Sequence, residues 1–114
     1  MRVKNIGVDL VEIKRFRKLP YKKNRTFYEK IFTEEEIKYC LSKNDSYPHF
    51  AARFAAKEAA LKCLKSTVYK IRDVEIKNDK TGAPQILLKK MKGHFLISLS
   101  HTKDQAIAIA LWFN

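Results

Sequence analysis

The run Ala51-Ala52-Arg53-Phe54-Ala55-Ala56-Lys57-Glu58-Ala59-Ala60-Leu61-Lys62-Cys63-Leu64 contains no Gly or Pro and is dominated by Ala, Leu and Lys. Intrinsic propensity alone makes it a helix. Phe54, Leu61 and Leu64 recur at helical spacing and give it an apolar side. Glu58 follows Phe54 by one turn and precedes Lys62 by one turn, so a carboxylate and an ammonium meet at the margin of that side. Taken alone, such a pair is a solvated ion pair contributing a few tenths of a kcal/mol, roughly 0.2–0.5. What surrounds it in the rest of the chain decides whether it does more.

Ahead of this helix, Val3 to Leu10 reads as a strand, with Ile6, Val8 and Leu10 on one face and Asn5, Gly7 and Asp9 on the other. Asp9 then projects from the polar side, beside a Gly that permits close approach; a lone Asp here also suits a turn or a cap. Leu10, Ile13, Phe16 and Leu19 recur at three-residue steps and predict a short helix ending before Pro20, followed by a loop to about Tyr28. Thr33 and Glu36 form a capping box, and Phe32 with Ile37 the matching hydrophobic staple, for a helix burying Ile37, Cys40 and Leu41. Lys43-Asn44-Asp45-Ser46 closes it, and Pro48 leads into the central helix.

After Lys65 the period changes to two. Val74 and Ile76, then Ile86 and Leu88, flank the turn cluster Asn78-Asp79-Lys80-Thr81-Gly82 and predict a hairpin. Phe95-Ile97-Leu99 and Ile107-Ile109-Leu111 predict a second antiparallel pair through His101-Thr102-Lys103-Asp104. Strand, helices, then strands, without a βαβ rhythm, make an α+β fold, expected as one domain over residues 1–114.

Composition narrows the function classes. No apolar run approaches the ~20 residues of a membrane span, and the N-terminus has no apolar signal region. Cys40 and Cys63 have no metal or redox spacing and are expected as free thiols in a reducing cytoplasm. His49, His94 and His101 lack zinc spacing. Ser98 and Ser100 lack a Gly-x-Ser-x-Gly setting, which disfavours serine nucleophile chemistry. The formal net charge is +12, and Lys14 to Arg25 holds seven basic residues and no acid. Such a run is either a solubility face or a docking surface for an anionic partner.

Three blocks carry a resemblance. Ile6-Gly7-Val8-Asp9-Leu10-Val11-Glu12-Ile13, Arg53-Phe54-Ala55-Ala56-Lys57-Glu58-Ala59 and Ile97-Ser98-Leu99-Ser100-His101-Thr102 occur in the order found in the 4'-phosphopantetheinyl transferases, which the chain resembles over almost its whole length. The resemblance implies transfer of 4'-phosphopantetheine from coenzyme A to a serine of apo acyl carrier protein, releasing adenosine 3',5'-bisphosphate, in fatty-acid and lipid metabolism. It implies Asp9 and Glu58 as magnesium ligands, and Asp9, Glu58 and Lys62 as the catalytic group. Lys62 would counter the charge of the departing phosphate, and Glu58, directly or through water, is the candidate general base. Arg53, Lys57, His101 and Thr102 fall at positions around the nucleotide and its phosphates. Arg53 and Lys57 are one turn apart, so both are expected to reach one anion; His101 by itself also suits a cap or core edge.

Arg15, within the basic run that includes Arg17 and Lys18, matches a position that docks the acidic carrier protein. The family's members form trimers with coenzyme A at subunit contacts, and the all-round apolar strand Ala106 to Phe113 wants cover on both faces. The family's Gly-Thr-Gly loop after the central helix is replaced by Lys65-Ser66-Thr67-Val68, which is expected to resist positive φ. An Arg usual before the central block is absent; His49 stands nearby. A magnesium nuclease is the rival enzyme class, but its acid-x-Lys pairing on adjacent strand positions is missing. A nucleic-acid module would want exposed aromatics on a sheet, whereas Phe95, Trp112 and Phe113 fit inward patterns; no nucleic-acid or membrane partner is expected.

Overall fold

The structure is a computed structural model and describes residues 2–65, 68–88 and 93–113. Strand β1 (Val3–Glu12) leads into a one-turn helix α1 (Lys14–Arg17), then α2 (Arg25–Ile31), α3 (Glu34–Leu41) and α4 (Ser46–Leu64). The hairpin β2 (Val74–Asn78) and β3 (Pro84–Leu88) follows, then β4 (His94–His101) and β5 (Gln105–Phe113). The α+β expectation holds, as do both antiparallel pairs.

Three local expectations are corrected. Leu10 belongs to β1, which runs on to Glu12, so α1 is shorter than the three-residue steps implied. The expected loop before Tyr28 contains a 3-10 turn (Tyr21–Lys23) and α2. Leu41 is exposed, not inward. Tyr28 on α2 enters the aromatic cluster of Phe16, Phe32 and Phe50 and donates its hydroxyl to the Leu19 carbonyl at 2.7 Å. Aromatic packing, not periodicity, holds this segment.

The α3 capping box is present: Thr33 Oγ1 accepts from the Glu36 amide, and Glu36 accepts from the Thr33 amide. Helix α4 begins five residues before the Ala-rich run. Asp45 caps it, and Pro48 sits in the first turn, where its missing N–H costs nothing. Lys65 ends it in the left-handed region (φ 50°), a conformation that costs a non-Gly residue about 1–2 kcal/mol. The chain therefore takes positive φ without glycine, contrary to expectation; Ser66 and Thr67 of that loop lie outside the described residues.

Strands β1, β5 and β4, in that order, form an antiparallel sheet that also pairs the N-terminal strand with β5, a pairing the sequence did not indicate. Helix α4 packs on one face of it. The side chains turned toward the helix are small: Gly7, Ala106, Ala108 and Ala110 are buried. The large ones, Ile6, Val8, Leu10, Ile107, Ile109 and Leu96, are exposed on the opposite face. Small residues beneath an Ala-rich helix let the two backbones come close.

Candidate active site

At Gly7 a Cβ would lie 2.1 Å from the Ala59 carbonyl oxygen and 3.2 Å from Lys62 Cβ. Only glycine lets β1 settle on the turn of α4 that carries Glu58 and Lys62. Two residues on, Asp9 faces the same side by strand alternation. Lys62 Nζ donates to Asp9 Oδ1 at 3.0 Å and to the Val8 carbonyl at 2.8 Å. Glu58 is half-buried, and its carboxyl is pushed above the usual range, first by burial and then by the like charge of Asp9; Lys62 and Arg15 oppose this. Arg15 also stacks over the Phe54 ring at 4.9 Å. Residues far apart in sequence thus converge: Asp9, Glu58, Lys62 and Arg15.

A carboxylate whose proton affinity is raised by the like charge of a neighbouring carboxylate suits a hard cation with oxygen ligands. Magnesium fits: it is typically held by one or two carboxylates and substrate phosphates. Among the described residues no group of three or more His, Cys, Asp or Glu gathers for a metal, so Asp9 and Glu58 are the donors this chain offers at the junction.

The nucleotide candidates are distributed differently. Arg53 is 4% exposed, stacks over Tyr39 at 4.0 Å and donates from Nη2 to Asn78 Oδ1 at 3.3 Å. Among the described residues its Nε and Nη1 are buried without a hydrogen-bond partner, and the guanidinium lies beside the Cys40 thiol. It lines a cavity of about 240 Å³ with Tyr39, His49, Asn78, Gly82 and Ser98. The His49 ring lies 6.1 Å from that of His101 and 6.0 Å from that of Tyr39. Burial first, then Lys43, His101 and Arg53, hold His49 below the usual imidazole range; Asp45 opposes them. Thr102 Oγ1 accepts from the Gln105 amide at 3.1 Å and the Asp104 amide at 3.3 Å, fixing the β4–β5 turn.

Lys57 does not join Arg53. Its ammonium pairs with Glu36 Oε1, and both side chains are wholly buried. Glu36 Oε2 accepts the Ile76 amide at 2.8 Å, tying α3, α4 and β2 to one carboxylate. Burial lowers the proton affinity of Lys57, and Glu36 opposes that effect. The expectation that Arg53 and Lys57 grip one anion is corrected: Lys57 points into the protein, where Glu36 already neutralises it. Sequence reasoning also missed Tyr39 and Asn78; an aromatic beside Cys40 and a turn Asn carried no signal of a cavity.

The basic face is partly engaged. Arg17 makes a two-pronged contact with Asp45, 3.1 and 2.7 Å, while Lys18 is exposed at the end of α1. The two clusters stand at opposite edges of the sheet, since β1 and β4 flank β5.

The profile described as the 4'-phosphopantetheinyl transferase superfamily matches residues 5–110. The chain is 36% identical to a holo-[acyl-carrier-protein] synthase of Thermodesulfovibrio yellowstonii over 110 residues, covering 96% of this chain and 97% of that one. It is 39% identical to one of Chlamydia caviae over 119 residues, covering 97% and 98%. Among solved structures, the Bacillus anthracis synthase in complex with CoA (3',5'-ADP) superposes with a TM-score of 0.84 at 29% identity, covering 96% of each chain. The Helicobacter pylori synthase in complex with coenzyme A gives 0.81 at 30% identity, covering 95% of this chain and 99% of that one.

Proposed function

The chain belongs to the 4'-phosphopantetheinyl transferase superfamily, and on that premise we propose that it is a holo-[acyl-carrier-protein] synthase. It moves 4'-phosphopantetheine from coenzyme A to a serine hydroxyl of apo acyl carrier protein and releases adenosine 3',5'-bisphosphate. The observation that carries this reading is the meeting of Asp9, Glu58 and Lys62 where Gly7 lets β1 rest on α4.

The serine oxygen attacks the phosphorus that bears the pantetheine arm, and the bond from that phosphorus to the bridging oxygen breaks. Glu58, directly or through a water, is the group that takes the serine proton. Lys62, already beside Asp9, moves its charge toward the departing phosphate. Asp9 and Glu58 would hold Mg2+, which when bound offsets the negative charge of the diphosphate. Arg53 and His101 bind the nucleotide, with Thr102 shaping the turn beside them. Lys57 serves inside the protein as the counter-charge of Glu36.

Arg15, Arg17 and Lys18 form the landing face for the acidic carrier protein, where complementary charge speeds encounter. The exposed apolar side chains of β1, β4 and β5 want a partner surface and support self-association, which by analogy with the family is taken as a homotrimer. No helix among the described residues is long and apolar enough to cross a membrane, and a cytoplasmic role in fatty-acid synthesis suits the substrates.

The test is incubation with apo acyl carrier protein, coenzyme A and magnesium, followed by intact-protein mass. A metal-dependent phosphopantetheine adduct on the carrier is the expected result. An unmodified carrier, under conditions where the Bacillus anthracis synthase modifies it, overturns the assignment.

A further inference from the structure

We propose that Asp45 is an internal competitor of the carrier protein: its carboxylate fills the Arg17 fork that an acidic side chain of the partner takes, so docking exchanges one carboxylate for another. This rests on the holo-synthase reading, which brings an acidic protein to the basic face. It adds a contact within the chain that sets how tightly that protein is held.

The seven basic residues from Lys14 to Arg25 have no acid among them in the sequence. The fold supplies one from elsewhere. Asp45, 28 positions beyond Arg17, stands at the N-cap of α4. Its Oδ1 and Oδ2 accept from Nη1 and Nη2 of Arg17 at 3.1 and 2.7 Å.

Most exposed ion pairs are too loosely held to matter. The geometry sets this one apart. Two parallel bonds fix the angle of a planar guanidinium, as a single lysine contact does not. Asp45 Oδ1 also accepts from the Tyr47 amide at 3.3 Å, so the helix start that it caps holds the carboxylate in place. The Tyr47 ring lies 5.9 Å from the guanidinium carbon, within reach of a cation–π contact. Lys14, by contrast, meets Glu12 at 3.1 Å with both side chains mostly exposed.

The pair is nevertheless reachable, with 45% of the Arg17 side chain and 48% of the Asp45 side chain open to solvent. A carboxylate of the partner arrives beside a negative charge already seated on the same guanidinium. Like charges at that range repel, so the incoming acid gains the fork as Asp45 gives it up. The opposite arrangement is a bridge, in which Arg17 keeps Asp45 and offers its remaining N–H edge to the partner. Asp45 would then support docking. The two arrangements give opposite signs when the Asp45 charge is removed.

The experiment measures KM for the carrier protein at low salt in the wild-type chain, D45N, R17A and the double variant. Asparagine caps a helix as well as aspartate does, and D45S, which also caps, is run beside it to keep the helix start out of the comparison. D45N lowers KM about two- to fivefold, the range of one well-made exposed ion pair. D45S acts in the same direction, and high salt shrinks both gains. In the R17A background D45N lowers KM by less, because no fork is left to vacate.

A KM that D45N raises or leaves in place, or a gain that D45S does not share, overturns the exchange while the holo-synthase reading stands. So does a gain of equal size with and without Arg17, since removing any acid from a basic face would produce it. Failure of the wild-type chain to modify the carrier overturns both.

Discussion

Lys57 and Glu58 are consecutive in α4 yet belong to opposite electrostatic settings. Lys57 is sealed against Glu36, with both side chains wholly buried. One turn on, Lys62 meets Asp9 at a place where the lysine is 53% and the aspartate 17% exposed. The buried pair joins α3, α4 and β2; the open pair joins α4 to β1. A helix advances about 100° per residue, so one element can anchor itself with one side chain and offer the next to substrate. What separates the pairs is solvent. A sealed charge is held by one partner at high cost if that partner goes, whereas an open charge can change partners during a reaction.

The comparison is broken most forcefully at the sealed pair. Glu36→Ala or Lys57→Met alone should cost about 3–5 kcal/mol in urea denaturation, because each leaves an uncompensated buried charge. Replacing both together, Glu36→Leu with Lys57→Met, should recover most of that loss; an additive loss instead would show that the Glu36 bonds to Thr33 and Ile76 matter more than the ion pair. At the open pair the expectation inverts. Asp9→Asn or Glu58→Gln should lower the rate of transfer by roughly a hundredfold to a thousandfold, with the urea midpoint nearly unchanged. A variant that kept its turnover would remove that carboxylate from the site.

Gly7→Ala tests the junction beneath the open pair. The added methyl meets the Ala59 carbonyl at 2.1 Å, so β1 must lift from α4. We expect a loss of about 1–3 kcal/mol in stability together with slower transfer, a combined signature that neither pair shows alone. The smallest effect is expected at Arg17. Its hydrogen bond to Asp45 is the main reason that carboxyl sits below its ordinary range, with the Arg17 charge adding to it. The Asp45 contribution is thus present at neutral pH and fades as pH falls through its folded value. Arg17→Ala should return the Asp45 NMR titration toward the usual carboxylate range, leave the unfolding midpoint at neutral pH nearly unmoved, and raise KM for the carrier protein modestly at low salt.

The α+β order, both hairpins and the α3 capping box were legible because each is written in local chemistry: turn residues, period two, and a Thr three positions before a Glu. The three motif blocks also marked Asp9 and Glu58, though nothing in their spacing brings them together. That meeting depends on Gly7, whose contact with Ala59 is a tertiary fact. Glu36 was legible as a cap but not as the partner of Lys57, since its second task uses the side-chain oxygens across three elements. Helix α2 was missed because aromatic contacts from Tyr28 to distant rings override a weak local pattern. The sheet's faces were legible as alternation, but which face the helix covers was not. The better signal was size: alanines at 106, 108 and 110 match an alanine-rich helix, and the isoleucines between them do not.

That arrangement of sizes has a thermodynamic consequence. With its bulkiest side chains on the open side of the sheet and a thin layer of alanine behind it, a lone copy leaves much of its greasy surface wet. Any assembly that dries this surface contributes to folding by mass action, so resistance to heat should climb with protein concentration, and dilution alone should weaken the fold.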